Sequence, residues 1–168
     1  MRAFVTVGTT RFDDLIGAID TAEFLEALSS KCVTQLVVQI GHGTHEPRFE
    51  DAKRLGLICS YYRFKPNLQE DMSNADLIVS HAGAGSVMES LGLGKALVVV
   101  VNDALMHNHQ EELAGALAAR GHAVTAYPPT VAAAVREADF GARKLYAGAR
   151  PEAFACVVDE EMAKRRWV

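Results

Sequence analysis

Short runs rich in β-branched residues alternate along this chain with longer segments of helical period, and that alternation narrows the fold more than any other feature. Strands are predicted at residues 3–7, 35–40, 57–64, 77–80, 96–101 and 123–127. Helices are predicted at 14–29, 48–55, 68–74, 86–93, 109–120 and 131–138, with a last one near 152–166. Strand and helix in regular succession build βαβ units, whose strands lie parallel under helices on both faces. The run Ala96-Leu-Val-Val-Val-Val101 has no alternation of apolar and polar residues, as a central strand covered on both sides requires. The expected fold is therefore α/β with a mostly parallel, doubly wound sheet. Residues 57–64 mix polar and aromatic side chains and leave the first half open to mixed parallel and antiparallel pairing.

A chain of 168 residues, 49% apolar and 23% charged, suits one globular domain spanning residues 1–168; a chain near that length buries about 70% of its unfolded surface. A formal net charge of −4 argues against a surface that holds nucleic acid by its phosphates. Cys32, Cys59 and Cys156 are widely spaced and odd in number, which fits reduced core thiols in the cytosol better than a disulfide framework. The apolar run at the N-terminus is too short for a signal peptide. The longest apolar run, 96–101, is far below the roughly 20 residues of a membrane helix, so no direct membrane span is expected.

In doubly wound sheets ligands lie outside the carboxyl ends of the strands. Glycine-bearing loops are predicted there: Gly8-Thr9-Thr10, Gly41-His-Gly-Thr44, and residues 81–86. The last reads Ser80-His-Ala-Gly-Ala-Gly-Ser86, small residues crowded between a strand and a helix that Ser86 could cap. Free N–H groups and the positive helix pole over a surface without bulk make an anion site suited to a diphosphate. Glu89, one turn into that helix, is repelled by phosphates, so its natural partners are sugar hydroxyls. The plainer reading is that Gly83 and Gly85 merely permit a tight crossing. A nicotinamide fingerprint is disfavoured because its third glycine position is Met88, and no G-x-x-x-x-G-K-[ST] phosphate loop is present.

After the buried strand comes Asn102-Asp-Ala-Leu-Met-His-Asn-His-Gln110. Asn108, His109 and Gln110 offer neutral donors and acceptors of the kind that read sugar hydroxyls, although Asn108 would serve equally as an N-cap. His107 and His109 lack the further ligands that a metal pair needs, and no metal is expected.

Phe4-Val-Thr-Val-Gly-Thr-Thr10 with Phe12-Asp-Asp14, Gln39-Ile-Gly41, Ala75-Asp-Leu-Ile-Val-Ser-His-Ala-Gly-Ala-Gly-Ser86 with Glu89, Gly94-Lys95 and Asn108-His-Gln110 together resemble a known family. It is that of the cytosolic catalytic subunits of the two-subunit eukaryotic GlcNAc transferase, which adds the second sugar of the dolichol-linked oligosaccharide. The resemblance runs from Phe4 to about Phe154. More distantly, the same block is similar to the donor half of the bacterial GlcNAc transferase that completes the peptidoglycan lipid precursor.

The resemblance implies the C-terminal, Rossmann-like half of a GT-B enzyme, split so that this chain holds UDP-GlcNAc and a membrane-anchored subunit holds dolichyl-diphosphate-GlcNAc. It places the heterodimer on the cytosolic face of the endoplasmic reticulum. It puts the diphosphate over His81, Ala82, Gly83, Ala84, Gly85 and Ser86, the ribose on Glu89, and uracil against backbone near Phe64 and Lys65. GlcNAc hydroxyls fall to Asn108, His109 and Gln110, while Gly8, Thr9 and Thr10 face the acceptor. For Lys65 a solvated loop lysine is the plain alternative. No cofactor is implied. His81 is a weak candidate for general base, since a histidine beside phosphates more naturally donates to them. The helix near 152–166 is expected to pack on its own domain or on the partner. A non-catalytic module that binds a UDP-sugar or recruits a partner would need the same donor loop.

Overall fold

The computed structural model describes residues 1–102 and 109–148; the expected helix near 152–166, Cys156, His107 and Asn108 lie outside them. The chain runs β1 (Arg2–Thr6), α1 (Asp13–Ile19), α2 (Ala22–Ser30), β2 (Gln35–Gln39), β3 (Ile58–Tyr62), α3 (Gln69–Asn74), β4 (Leu77–His81), α4 (Ala84–Gly92), β5 (Ala96–Val100), α5 (His109–Ala119), β6 (Val124–Ala126) and α6 (Val131–Glu137). One six-stranded sheet has the order β3-β2-β1-β4-β5-β6, and every pairing is parallel. The order reverses between β1 and β4, the switch point at which such sheets open a crevice.

The open question at residues 57–64 resolves to a parallel strand, with Cys59 opposite Leu36 and Tyr61 opposite Val38. Its mixed composition follows from its place at the sheet edge, where Ile58 and Tyr61 stay exposed. The central strands read as they do because both faces are covered. Val5, Val79 and Val98 face a layer with Leu15, Phe24 and Leu28. Phe4, Ile78 and Val99 face another with Met72, Val87 and Leu117. Burying each large apolar side chain stabilises the fold by about 1.5–3 kcal/mol.

The expected helix at 14–29 is two helices. Thr21 interrupts it, its hydroxyl accepting from Phe24 N–H at 3.3 Å to cap α2. The expected helix at 48–55 is a run of turns; Asp20 accepts from the N–H groups of Arg48 and Phe49 and draws its start down onto α1. Cys32 is exposed at φ +59°, not a core thiol. Cys59 is half-buried, and burial, with the Asp20 charge adding to it, pushes its thiol up to about 11.

Candidate functional site

The turns after β1, β3 and β4, with Gln39 at the end of β2, meet over the switch point and line a cleft of about 410 Å³. Its floor is a buried polar knot. Gln39, 2% exposed, donates from Nε2 to Gly8 O at 2.6 Å and to Arg63 O at 2.8 Å. Its Oε1 accepts from the Thr6 hydroxyl at 2.6 Å, and Thr6 Oγ1 accepts in turn from Gly8 N–H. One side chain thus ties the ends of β1, β2 and β3 together. Gly8 takes φ +61°, a conformation that side chains disfavour.

His81, at the end of β4, is 8% exposed. Its ring lies between two glycines: a Cβ on Gly8 would stand 2.8 Å from Cε1, and one on Gly83 would overlap the ring at Nε2. The stretch was kept small first for this imidazole. Burial lowers the basicity of His81, opposed by the Thr6 backbone, yet Nδ1 is buried without a well-formed hydrogen bond. Burial thus disfavours the charged form of the ring.

α4 begins at Ala84, with Gly83 as its N-cap in extended conformation and no side chain closing the cap. Ser86 is already inside the first turn, so the expected cap at its hydroxyl is corrected by three residues, to Gly83. The first intrahelical bond runs from Val87 N–H to Gly83 O at 3.1 Å. Among the described residues the N–H groups of Ala84, Gly85 and Ser86 therefore have no acceptor, as the first turn of any helix dictates. These residues line the cleft. Gly85 has no internal reason for its missing side chain, since a Cβ there would meet nothing within 4 Å. A glycine inside a helix costs about 1 kcal/mol relative to alanine, so its smallness serves the open space above it.

The loop after β3 forms the far wall. Phe64 is 47% exposed and lies tilted against the His42 ring, with centroids 4.6 Å apart, while His42 Nδ1 meets Thr9 O at 2.6 Å. Lys65 is not a free solvated lysine: Nζ donates to Asp71 Oδ2 at 2.7 Å and sits 4.3 Å from the centre of the Tyr62 ring. The loop bearing Gly41 and Gly43 is pinned from below by Asp13, whose Oδ1 accepts from the N–H groups of Thr44 and His45. Burial works against the charge of Asp13, but those bonds, with Arg11 and the Thr44 hydroxyl, outweigh it and hold the carboxyl well below the usual range.

Of the residues singled out in the sequence, Gly8, Thr9, Phe64, Lys65, His81, Gly83, Ala84, Gly85 and Ser86 line this cleft. Ala82 is buried beneath it, in the core layer of α4. Thr10 turns back into its own loop, its hydroxyl donating to Val7 O at 2.7 Å. Glu89 is exposed, one helical turn beyond Gly85 on the same face of α4. Gln110 is drawn to the end of β5, its Oε1 accepting from Asn102 N–H at 3.2 Å. His109 opens α5; its side chain lies outside what the structure describes, as does all of Asn108. Gln39, Pro66, Asn67 and Leu68 line the cleft without having been assigned a site role; the motif Gln39-Ile-Gly41 was the available signal for Gln39.

Residues 2–161 match the glycosyltransferase family 28 C-terminal domain. The mouse (Mus musculus) UDP-N-acetylglucosamine transferase subunit ALG13 is 50% identical over 121 residues, covering 72% of this chain and 10% of that protein. The chain thus spans about a tenth of the length of that relative. A Cryptococcus neoformans protein of the same name is 30% identical over 189 residues and covers 94% of both chains. An NMR solution structure of ALG13 superposes with a TM-score of 0.67 at 23% identity, covering 96% of each chain, a likeness of fold.

Proposed function

This chain belongs to the glycosyltransferase family 28 C-terminal domain family, and from that premise we propose that it is the donor-binding subunit of a UDP-GlcNAc-dependent N-acetylglucosaminyltransferase. The observation that carries the reading is the set of unpaired N–H groups of Ala84, Gly85 and Ser86, opening at the switch point on a cleft whose glycines leave room for a ligand. The diphosphate of UDP-GlcNAc lies over them, at the positive pole of α4. Uracil rests against the backbone of Phe64 and Lys65, and Glu89 accepts from the ribose hydroxyls. Asn108, His109 and Gln110 read the hexosamine.

The reaction is displacement with inversion. The 4-hydroxyl of the terminal GlcNAc of dolichyl-diphosphate-GlcNAc attacks the anomeric carbon, the bond to the diphosphate breaks, and UDP leaves. The hydroxyl proton passes to a base that the membrane-anchored acceptor subunit contributes, since the one imidazole lining the described cleft, His81, is buried against two glycines. Charge grows on the departing diphosphate, and preoriented N–H groups stabilise it; losing one such donor from an active site costs about 10²–10³ in rate. The backbone donors supply this stabilisation without a metal. Among the described residues no helix is long and apolar enough to cross a membrane. In this reading the membrane-anchored partner brings the chain to the endoplasmic reticulum.

The test is co-expression with a membrane-anchored partner, following transfer from UDP-GlcNAc to a lipid-diphosphate GlcNAc. Transfer that needs both chains, and disappears with Glu89→Ala, supports the reading. Turnover by this chain alone overturns the division of labour, and donor binding with no transfer by the assembled pair favours a non-catalytic binding module.

A further inference from the structure

The charge balance of the cleft assigns a role to Lys65 that deepens the diphosphate reading and rests on it. Among the described residues lining the cleft, Lys65 is the one lysine or arginine, and burial disfavours the charged form of His81. Its side chain is 43% exposed, whereas that of Asp71, which it pairs with at 2.7 Å, is 5% exposed. Burial works against the charge of Asp71, and Lys65 is the chief group offsetting it, but not the only one. Tyr62 donates to its Oδ2 at 2.6 Å, and Arg2 Nη2 lies 3.3 Å from Oδ1. The carboxylate therefore keeps a guanidinium and a hydroxyl if the ammonium leaves. Lys65, on a flexible four-carbon stem with rotatable donors, can leave without stranding a buried charge.

A nucleoside diphosphate that has just lost its sugar gains a negative charge on its terminal phosphate. Backbone N–H groups offer that phosphate partial charges, and a full positive charge nearby is a stronger match. We propose that Lys65 transfers its ion pair from Asp71 to the terminal phosphate of the departing nucleoside diphosphate, so that Asp71 serves as the resting place of a movable cation. Arg2 and Tyr62 hold Asp71 in place throughout. The consequence is a cleft that favours a nucleoside diphosphate over the monophosphate beyond what the helix terminus alone supplies.

Equilibrium dialysis of the full chain against UDP and against UMP tests this, with Lys65→Met and Lys65→Arg. Lys65→Met is expected to weaken UDP binding about tenfold, a loss of one full ionic contact, while UMP binding falls less than about threefold. Lys65→Arg retains most of the preference, and the preference of the wild type shrinks with added salt more steeply than that of Lys65→Met. Thermal melts of Lys65→Met are expected to stay close to wild type, because Asp71 keeps its other partners. Equal losses for UDP and UMP, or none for either, overturn the proposal while leaving the diphosphate site intact. A wild-type chain that binds UDP no better than UMP removes both the inference and the reading beneath it.

Discussion

The ring of His81 lies so close to Gly83 that any side chain there would overlap it. Four residues from His81, Gly85 faces open space. The two glycines of one motif therefore have different physical reasons, and substitution separates them. Gly83→Ala forces the buried ring or the turn to move and is expected to cost about 1–3 kcal/mol of stability. Gly85→Ala removes helix-interior glycine and is expected to leave stability equal or higher by up to about 1 kcal/mol, yet to weaken UDP-GlcNAc binding by crowding the N–H groups. Urea unfolding and a donor titration on each variant check the pair.

Gln39 is expected to be worth more to the fold than its single side chain implies. Gln39→Ala strands Gly8 O, Arg63 O and the Thr6 hydroxyl, all now served by one buried amide. Each stranded buried group costs about 1–3 kcal/mol, so a large drop in the urea midpoint is expected. An unchanged midpoint would mean that water replaces the amide without penalty.

These cases show what the sequence disclosed and what it withheld. The strands β1, β2, β4 and β5 were legible because their β-branched runs have no polar face, and α4 because small residues end a strand abruptly. Its exact start was not, since Ser86 has the chemistry of a cap but the turn at Gly83 begins the helix earlier. The turns at residues 48–55 carry a helix-like apolar spacing, and only the arrival of Asp20 from another part of the chain decides against it. Gln39 looked like a strand end; its three-strand role exists only once β1, β2 and β3 are assembled. Lys65 was placed at the site only by the family resemblance, and its pairing with Asp71 depends on where α3 packs.

Glu89 is exposed, so its removal is expected to change stability by less than about 0.5 kcal/mol. The effect falls on recognition instead. The wild type is expected to prefer UDP to its 2′-deoxy analogue, and Glu89→Ala to bind the two alike. A preference that survives the substitution places the ribose elsewhere.

Burial holds the basicity of His81 below its ordinary value, which fixes the sign of a pH effect. The unfolded chain then binds more protons than the folded one below the usual histidine range near 6.5, so the folded state loses stability as pH falls through that range toward the lowered folded value. The urea midpoint of the wild type is expected to decline over that window. His81→Gln, measured in parallel, is expected to decline less, the other histidines being common to both.

The start of α4 is expected to receive the diphosphate of a UDP-sugar, and amide chemical shifts report on it directly. In a titration of the isotopically labelled chain with UDP-GlcNAc, the largest movements are expected at the backbone amides of Ala84, Gly85 and Ser86, with Gly8 and Lys65 following. Saturable movements confined to other loops, with those helix-start amides unmoved, would contradict it.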